Sequence, residues 1–385
     1  MSKINESILV EKEIATFTRV LEEGGVQSSI PAIFTYWASK FLSPRLREVF
    51  LEADISLIFA KEIHDCYINW SKLHCSVKGG FRILSLGSGD CTTEIAVCKH
   101  LLEFGMQFEF VCTDLNPEVM EFASKCAHQE NLGNTITFHV LNLNKDFLDA
   151  EYHCVIANHS LHHFVELEKI FDNVKRNLDN HGYFIISDMI GCNGHARWPE
   201  ALVFVEQLWE LVPLSKRIHT RSGCIHEKYI NYDCTISDPY EGIRAQDILQ
   251  LLLDRFFFAK FVGHGNIIDV FIDRIYGNNF SPDCEEDRRF IDYVEKLNTT
   301  LIDMGIVKPT AMFATLCKNH MECKYSRWHP QFCLRPSYFS PAFTEPVAHE
   351  TSFSFPARSM ANAMRFRRFL GNLRSTLWRR LGKAD

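Results

Sequence analysis

Phe81-Arg82-Ile83-Leu84-Ser85-Leu86-Gly87-Ser88-Gly89-Asp90-Cys91 is the stretch whose reading decides the fold. A short apolar run ends in a Gly-x-Gly turn, and a helix-like segment succeeds it from Thr92 to Leu102. Strand, tight turn and helix in this order bring a nucleotide-like ligand against bare backbone. Glycine permits a positive φ there and removes the side chain that would block close approach. A Gly-x-Gly turn alone is a weak signal, and its weight comes from the strands and polar residues spaced downstream of it.

Phe108 to Thr113 reads as a second buried strand that ends in Asp114, whose carboxylate can accept hydrogen bonds from both hydroxyls of a ribose. Asn116 as N-cap and Pro117 as first helical residue then open a helix over Glu118 to His128. A third strand, Ile136 to Leu141, leads into Asn142-Leu143-Asn144. A fourth, Tyr152 to Ala157, leads into Asn158-His159-Ser160-Leu161-His162-His163. A helix from Val165 to Leu178 and a strand from Tyr183 to Asp188 complete the series.

With these elements in this order the chain resembles a class I S-adenosylmethionine-dependent methyltransferase, over roughly Phe81 to Asp188, with weaker echoes to Lys318. The resemblance implies an α/β fold, a Rossmann-like seven-stranded methyltransferase sheet, and S-adenosylmethionine as cofactor. It implies that the first loop (Gly87, Gly89) passes the methionine part of the cofactor. Asp114 then holds the ribose and Asn142 contacts adenine, with Ser85, Leu115, Leu143 and Asn158 completing the cofactor site. The segment Ala157 to His163 looks like the family's loop after the fourth strand, where a Leu-His-His ending is frequent.

Two positions depart from the family's pattern. Ser85 stands where an acidic residue is usual; it can hydrogen-bond an ammonium but supplies no charge. Cys91 stands where a third glycine is usual, and is expected to take an ordinary backbone conformation. The competing ligand for such a loop, a nicotinamide or flavin dinucleotide, asks for a third glycine where this chain has Thr92.

The formal charge of −7 over 385 residues carries no general nucleic-acid footprint. No apolar run reaches transmembrane length, since Ile248 to Val262 is interrupted by Asp254, Arg255 and Lys260. Met1 to Val20 contains Glu6, Glu11 and Glu13 and does not read as a secretory signal. The 14 cysteines are scattered, several in core strands, which suits reduced thiols in a cytoplasmic protein.

The organisation read from the chain is an N-terminal helical cap (1–78) and a methyltransferase domain (79–323). An insertion after the fifth strand (190–243) is expected to recognise the acceptor, because long loops inside compact domains tend to be functional. Its polar groups His195, Arg197, His226 and Asp233, with Arg244 just beyond, are the expected substrate contacts. A second insertion (266–307) carries a long helical pattern from Cys284 to Met304, and Thr310 to Cys317 returns as a final antiparallel strand. Residues 324–356 read as a Pro- and aromatic-rich linker. Residues 357–385 carry a formal +7 and an apolar stripe of Phe366, Leu370, Leu373, Leu377 and Leu381. Such a basic amphipathic helix suits either a membrane interface, which would make the protein peripheral on the cytoplasmic face, or an acidic partner surface.

Methyl transfer from a sulfonium needs alignment of acceptor, methyl carbon and sulfur, and removal of a proton when the acceptor is a hydroxyl or ammonium. His162 and His163 follow the fourth strand at the carboxyl edge of the sheet and are the expected catalytic residues. His159, His226 and Asp233 are the reserve candidates. Cys317-x-x-His320-x-x-Cys323, with His329 and Cys333 beyond, lacks a paired C-x-x-C arrangement, so no metal is expected there. The expected reaction moves a methyl group to an O or N acceptor on a small molecule or saccharide, lipid-linked if the tail finds a membrane. The alternative is a non-catalytic, methyltransferase-like scaffold.

Overall fold

The structure, a computed structural model, describes residues 11–15, 18, 30–73 and 80–336. The basic tail 357–385 and the linker from residue 337 lie outside the described residues.

Eight strands form one sheet: β1 (Phe81–Leu86), β2 (Phe108–Asp114), β3 (Ile136–Val140), β4 (Tyr152–Asn158), β5 (Leu178–Met189), β6 (Phe257–His264), β7 (Ala311–Cys317) and β8 (Lys324–Ser326). Their order is β3-β2-β1-β4-β5-β7-β6-β8. The first five run parallel, and β7 lies antiparallel between β5 and β6. β4 and β7 are almost continuously buried, as strands covered on both faces should be. The chain order reverses between β1 and β4, and ligands of open α/β sheets bind at the carboxyl ends beside such a reversal. The fold is Rossmann-like, with one correction to the expected seven strands: Lys324–Ser326 pairs parallel with β6 inside the stretch read as linker. A three-residue strand is too short to show alternation in a sequence.

Residues 30–73, within the stretch read as an N-terminal helical cap, form helices over Ala32–Trp37, Ser43–Phe50 and Ile55–Leu73. The break between the last two falls at Leu51, in a left-handed conformation (φ 61), after which the Asp54 carboxylate accepts from the Leu57 amide at 2.9 Å. The helix Ser43–Phe50 packs on the antiparallel half of the sheet, and Ile55–Leu73 runs from there across to β4 and β5, where Cys66 Sγ donates to the His153 carbonyl at 3.3 Å. Phe50 and Phe59 lie 4.9 and 5.2 Å from the Phe313 ring on β7. Buried Glu62 meets Lys260 of β6 at 2.5 Å and accepts from Thr315 of β7 at 2.8 Å. An earlier piece of chain reaches the carboxyl end of β2, where the Ile14 carbonyl accepts from Asn116 Nδ2 at 3.0 Å.

Candidate active site

The loop after β1 has Gly87 and Gly89 at positive φ (65 and 53°). The Gly89 amide donates to Asp114 Oδ2 at 2.9 Å, and the Asn116 amide to Oδ1 at 2.9 Å. Burial raises the Asp114 pKa, and these backbone donors oppose the rise. A Cβ on Gly87 would sit 2.8 Å from Ser160 Cβ, so only glycine lets the loops after β1 and β4 touch. Asn158 Nδ2 donates to Thr93 Oγ1 at 3.1 Å, while its Oδ1 is buried without a partner among the described residues and is open to a donor on a ligand. Asn142 Oδ1 closes its own turn by accepting from the Asn144 amide at 3.1 Å; Leu143 is buried and Leu115 half-buried.

Both departures from the family's pattern have a structural answer. Cys91 adopts φ 56, ψ 20, the left-handed conformation that glycine takes without cost, which corrects the expectation of an ordinary backbone. Ser85 is fully buried and donates to Glu94 Oε1 at 2.8 Å. Glu94, in the first turn of the helix Thr92–Glu103, is itself buried, and burial pushes its pKa up to about 7. A carboxyl group is thus supplied beneath the loop from the next element rather than from the strand. The sequence hints at it: Glu94 falls on the apolar face with Ile95, Val97 and Cys98.

His162 and His163 lie in a single turn after β4 (Leu161–His163). Asp188, near the end of β5, accepts from the Ser160 and Leu161 amides through Oδ2 (2.9 and 2.7 Å) and from Met189 through Oδ1 (2.7 Å). Burial would raise its pKa, but the hydrogen bonds from His162 and these amides hold it low. The His162 Nδ1 lies 2.5 Å from Asp188 Oδ1, so Nδ1 is the protonated nitrogen and donates. Burial lowers the His162 pKa to about 4, leaving a neutral imidazole whose Nε2 lone pair faces Glu241 Oε1 at 3.7 Å. His163 behaves oppositely: burial would lower its pKa, but the carboxylates of Glu13 (3.1 Å from Nδ1) and Glu241 (3.6 Å from Nε2) raise it to about 9. His195 Nε2 meets Glu241 Oε1 at 2.7 Å, and its ring lies 5.1 Å from that of His162. Glu241 is held below the usual carboxylate range: burial opposes ionisation, but the His195 hydrogen bond and neighbouring imidazoles outweigh it.

Of the five expected substrate contacts, only His195 joins this cluster. Arg197 is buried and donates to the Asn266 carbonyl (2.8 Å), Asp269 (3.0 Å) and the His195 carbonyl (2.7 Å). Arg244 forms a two-pronged pair with Glu168 (2.6 and 2.7 Å) and also meets Asp247 at 2.8 Å. Asp233 caps a short turn by accepting from Thr235 N and Oγ1 (3.0 and 2.6 Å). His226 Nδ1 lies 2.7 Å from the Tyr276 hydroxyl. These four make internal hydrogen bonds and ion pairs away from that cluster, because an insertion with little regular structure must satisfy its own polar groups. The acidic members of the cluster, Glu13, Asp188 and Glu241, were not among the expected site residues. Asp188 could have been found as the polar end of an apolar strand, whereas Glu13 and Glu241 have no periodic signal. Cys317 donates to the Asn319 carbonyl at 3.1 Å and His320 packs on Phe257 at 5.4 Å; with Cys323 they form no metal-ligating group among the described residues.

Residues 84–186 match the profile of a family described as "Methyltransferase domain". No curated protein matches the chain. Among solved structures the chain is similar to the StiE O-methyltransferase (TM-score 0.37, 13% identity, 68% of this chain and 75% of that one). It is also similar to an O-methyltransferase from a Brevibacillus brevis multienzyme in complex with S-adenosyl-L-homocysteine (0.35, 13%, 69% and 80%). With the DszA carbon methyltransferase the likeness covers 35% of each chain (0.31, 19%).

Proposed function

Because residues 84–186 are a class I S-adenosylmethionine-dependent methyltransferase domain, we propose that the chain carries a methyl group from that cofactor to an oxygen or nitrogen on a small molecule or saccharide. In this reading Glu94 and Ser85 meet the cofactor's ammonium end, Asp114 its ribose, and Asn158 offers its unpaired carbonyl to the same ligand. The observation that carries the acceptor side is the confrontation of His162 Nε2 with Glu241. Two hydrogen-bond acceptors face each other there at 3.7 Å. A hydroxyl or ammonium brought there supplies the donor that His162 Nε2 lacks, beside a Glu241 already met by His195, and gives up its proton at the cluster. His195, from the insertion, stands at the same place, so the insertion forms the acceptor side of the pocket. The basic tail, which lies outside the described residues, would carry the enzyme to an anionic membrane surface and so to a lipid-linked acceptor.

The test is release of S-adenosylhomocysteine over a panel of hydroxylated, amine and saccharide acceptors, beside His162→Ala. The expected result is turnover with at least one acceptor, falling about 10²–10⁴-fold in the variant while cofactor affinity is kept. Unchanged turnover in the variant would refute the assignment of the proton step to this cluster.

A further inference from the structure

The His162–His163–Glu241 cluster has a second property that proton handling alone does not call for. Each of its two imidazoles has its Nδ1 against a carboxylate and its Nε2 toward the same third carboxylate. For His162 the outer partner is Asp188 at 2.5 Å, and for His163 it is Glu13 at 3.1 Å. The inward Nε2 atoms lie 3.7 and 3.6 Å from the two oxygens of Glu241. Carboxylate–histidine couples of this kind orient metal-binding imidazoles and raise their basicity as ligands. One donor atom from each of His162, His163 and Glu241 lies within 4.8 Å of the others, and no other group of three such residues occurs among the described residues. Ligands about 2.1 Å from a central ion stand roughly 3.4 Å apart at a tetrahedral angle, close to the separations seen here.

We propose that His162 Nε2, His163 Nε2 and Glu241 bind one divalent transition-metal ion, with its remaining positions open to the acceptor. Two imidazoles and one carboxylate suit Zn²⁺, Co²⁺, Mn²⁺ or Fe²⁺; Mg²⁺ and Ca²⁺ prefer all-oxygen sets. The ion satisfies the facing acceptors, and a hydroxyl bound to it ionises nearer to neutrality than it would in water. The proposal rests on this cluster serving the acceptor, and it places a metal at the sheet edge where the sequence led to no metal being expected. Asp188 and Glu13 become positioning residues that touch the ligands and not the ion.

The test uses the full-length protein stripped with EDTA and titrated with Co²⁺, read by visible d–d absorption and calorimetry, with Zn²⁺ as competitor. The expected result is one Co²⁺ per chain, displaced by Zn²⁺, with affinity at least about 100-fold weaker in Glu241→Gln and about 10–100-fold weaker in Asp188→Asn. S-adenosylmethionine affinity, measured on the same samples, shows that each variant is folded. Absence of d–d absorption in a protein that binds the cofactor would overturn the metal site, as would equal Co²⁺ uptake by wild type and Glu241→Gln. Either result would leave the methyl-transfer reading intact, because metal-free turnover is scored separately by S-adenosylhomocysteine release.

Discussion

In the reading proposed here, Glu94 stands in for the acidic residue absent at position 85. Its carboxyl group sits against the Ser85 hydroxyl at 2.8 Å, and burial pushes its pKa to about 7, above the ordinary 4.5. A carboxyl with a raised folded pKa favours folding fully below its ordinary value and loses that contribution as pH rises through about 7. The cofactor's ammonium reverses the preference, since it is met best by the ionised form. Cofactor affinity should therefore rise as pH passes through about 7, and Glu94→Gln should weaken binding and flatten that dependence. Calorimetry across this pH range checks it; a parallel rise in the variant would contradict the assignment. Cys91 sits in the left-handed region with its side chain buried. Cys91→Val places a β-branched residue there, and should cost about 1–3 kcal/mol in denaturant unfolding.

At the scale of elements, the insertion is held to the body by ion pairs of unequal worth. The Arg197 side chain is 8% exposed and joins the start of the insertion to Asp269, so Arg197→Ala leaves that carboxylate without its counter-charge and should cost about 2–3 kcal/mol. Arg244 and Glu168 are both partly exposed, so Arg244→Ala should cost only about 1 kcal/mol and leave KM for the acceptor unchanged. Thermal unfolding and steady-state kinetics on the two variants check this; a raised KM for Arg244→Ala would restore it as a substrate contact. The same contrast explains what the sequence disclosed. β1 to β5 and their helices could be read because burial on both sides imposes apolar runs, and because glycine, Asp114 and the Asn116-Pro117 cap mark their ends. The Glu241 role depends on contacts between residues far apart in the chain, such as His162 with Glu241, and a charge-rich insertion gives no pattern that separates a strut from a ligand contact.

Across the whole molecule, the parallel half of the sheet carries the loops proposed to hold the cofactor, and the helices of residues 30–73 pack over β6 and β7 and reach β4 and β5. The loops after β1, β2, β4 and β5 converge where the strand order reverses, and Gly89–Asp114, Gly87–Ser160 and His162–Asp188 tie them pairwise. The central claim is that this convergence is a working S-adenosylmethionine site next to a proton-handling cluster. Calorimetric titration of the full chain with S-adenosylmethionine, beside Asp114→Ala, tests it most directly. The account predicts saturable binding in the micromolar range, weakened at least about tenfold by loss of charge-assisted hydrogen bonds to the ribose, each worth about 1.5–3 kcal/mol. No heat from a folded wild-type protein, or equal affinity in the variant, would contradict it and point to a methyltransferase-like scaffold.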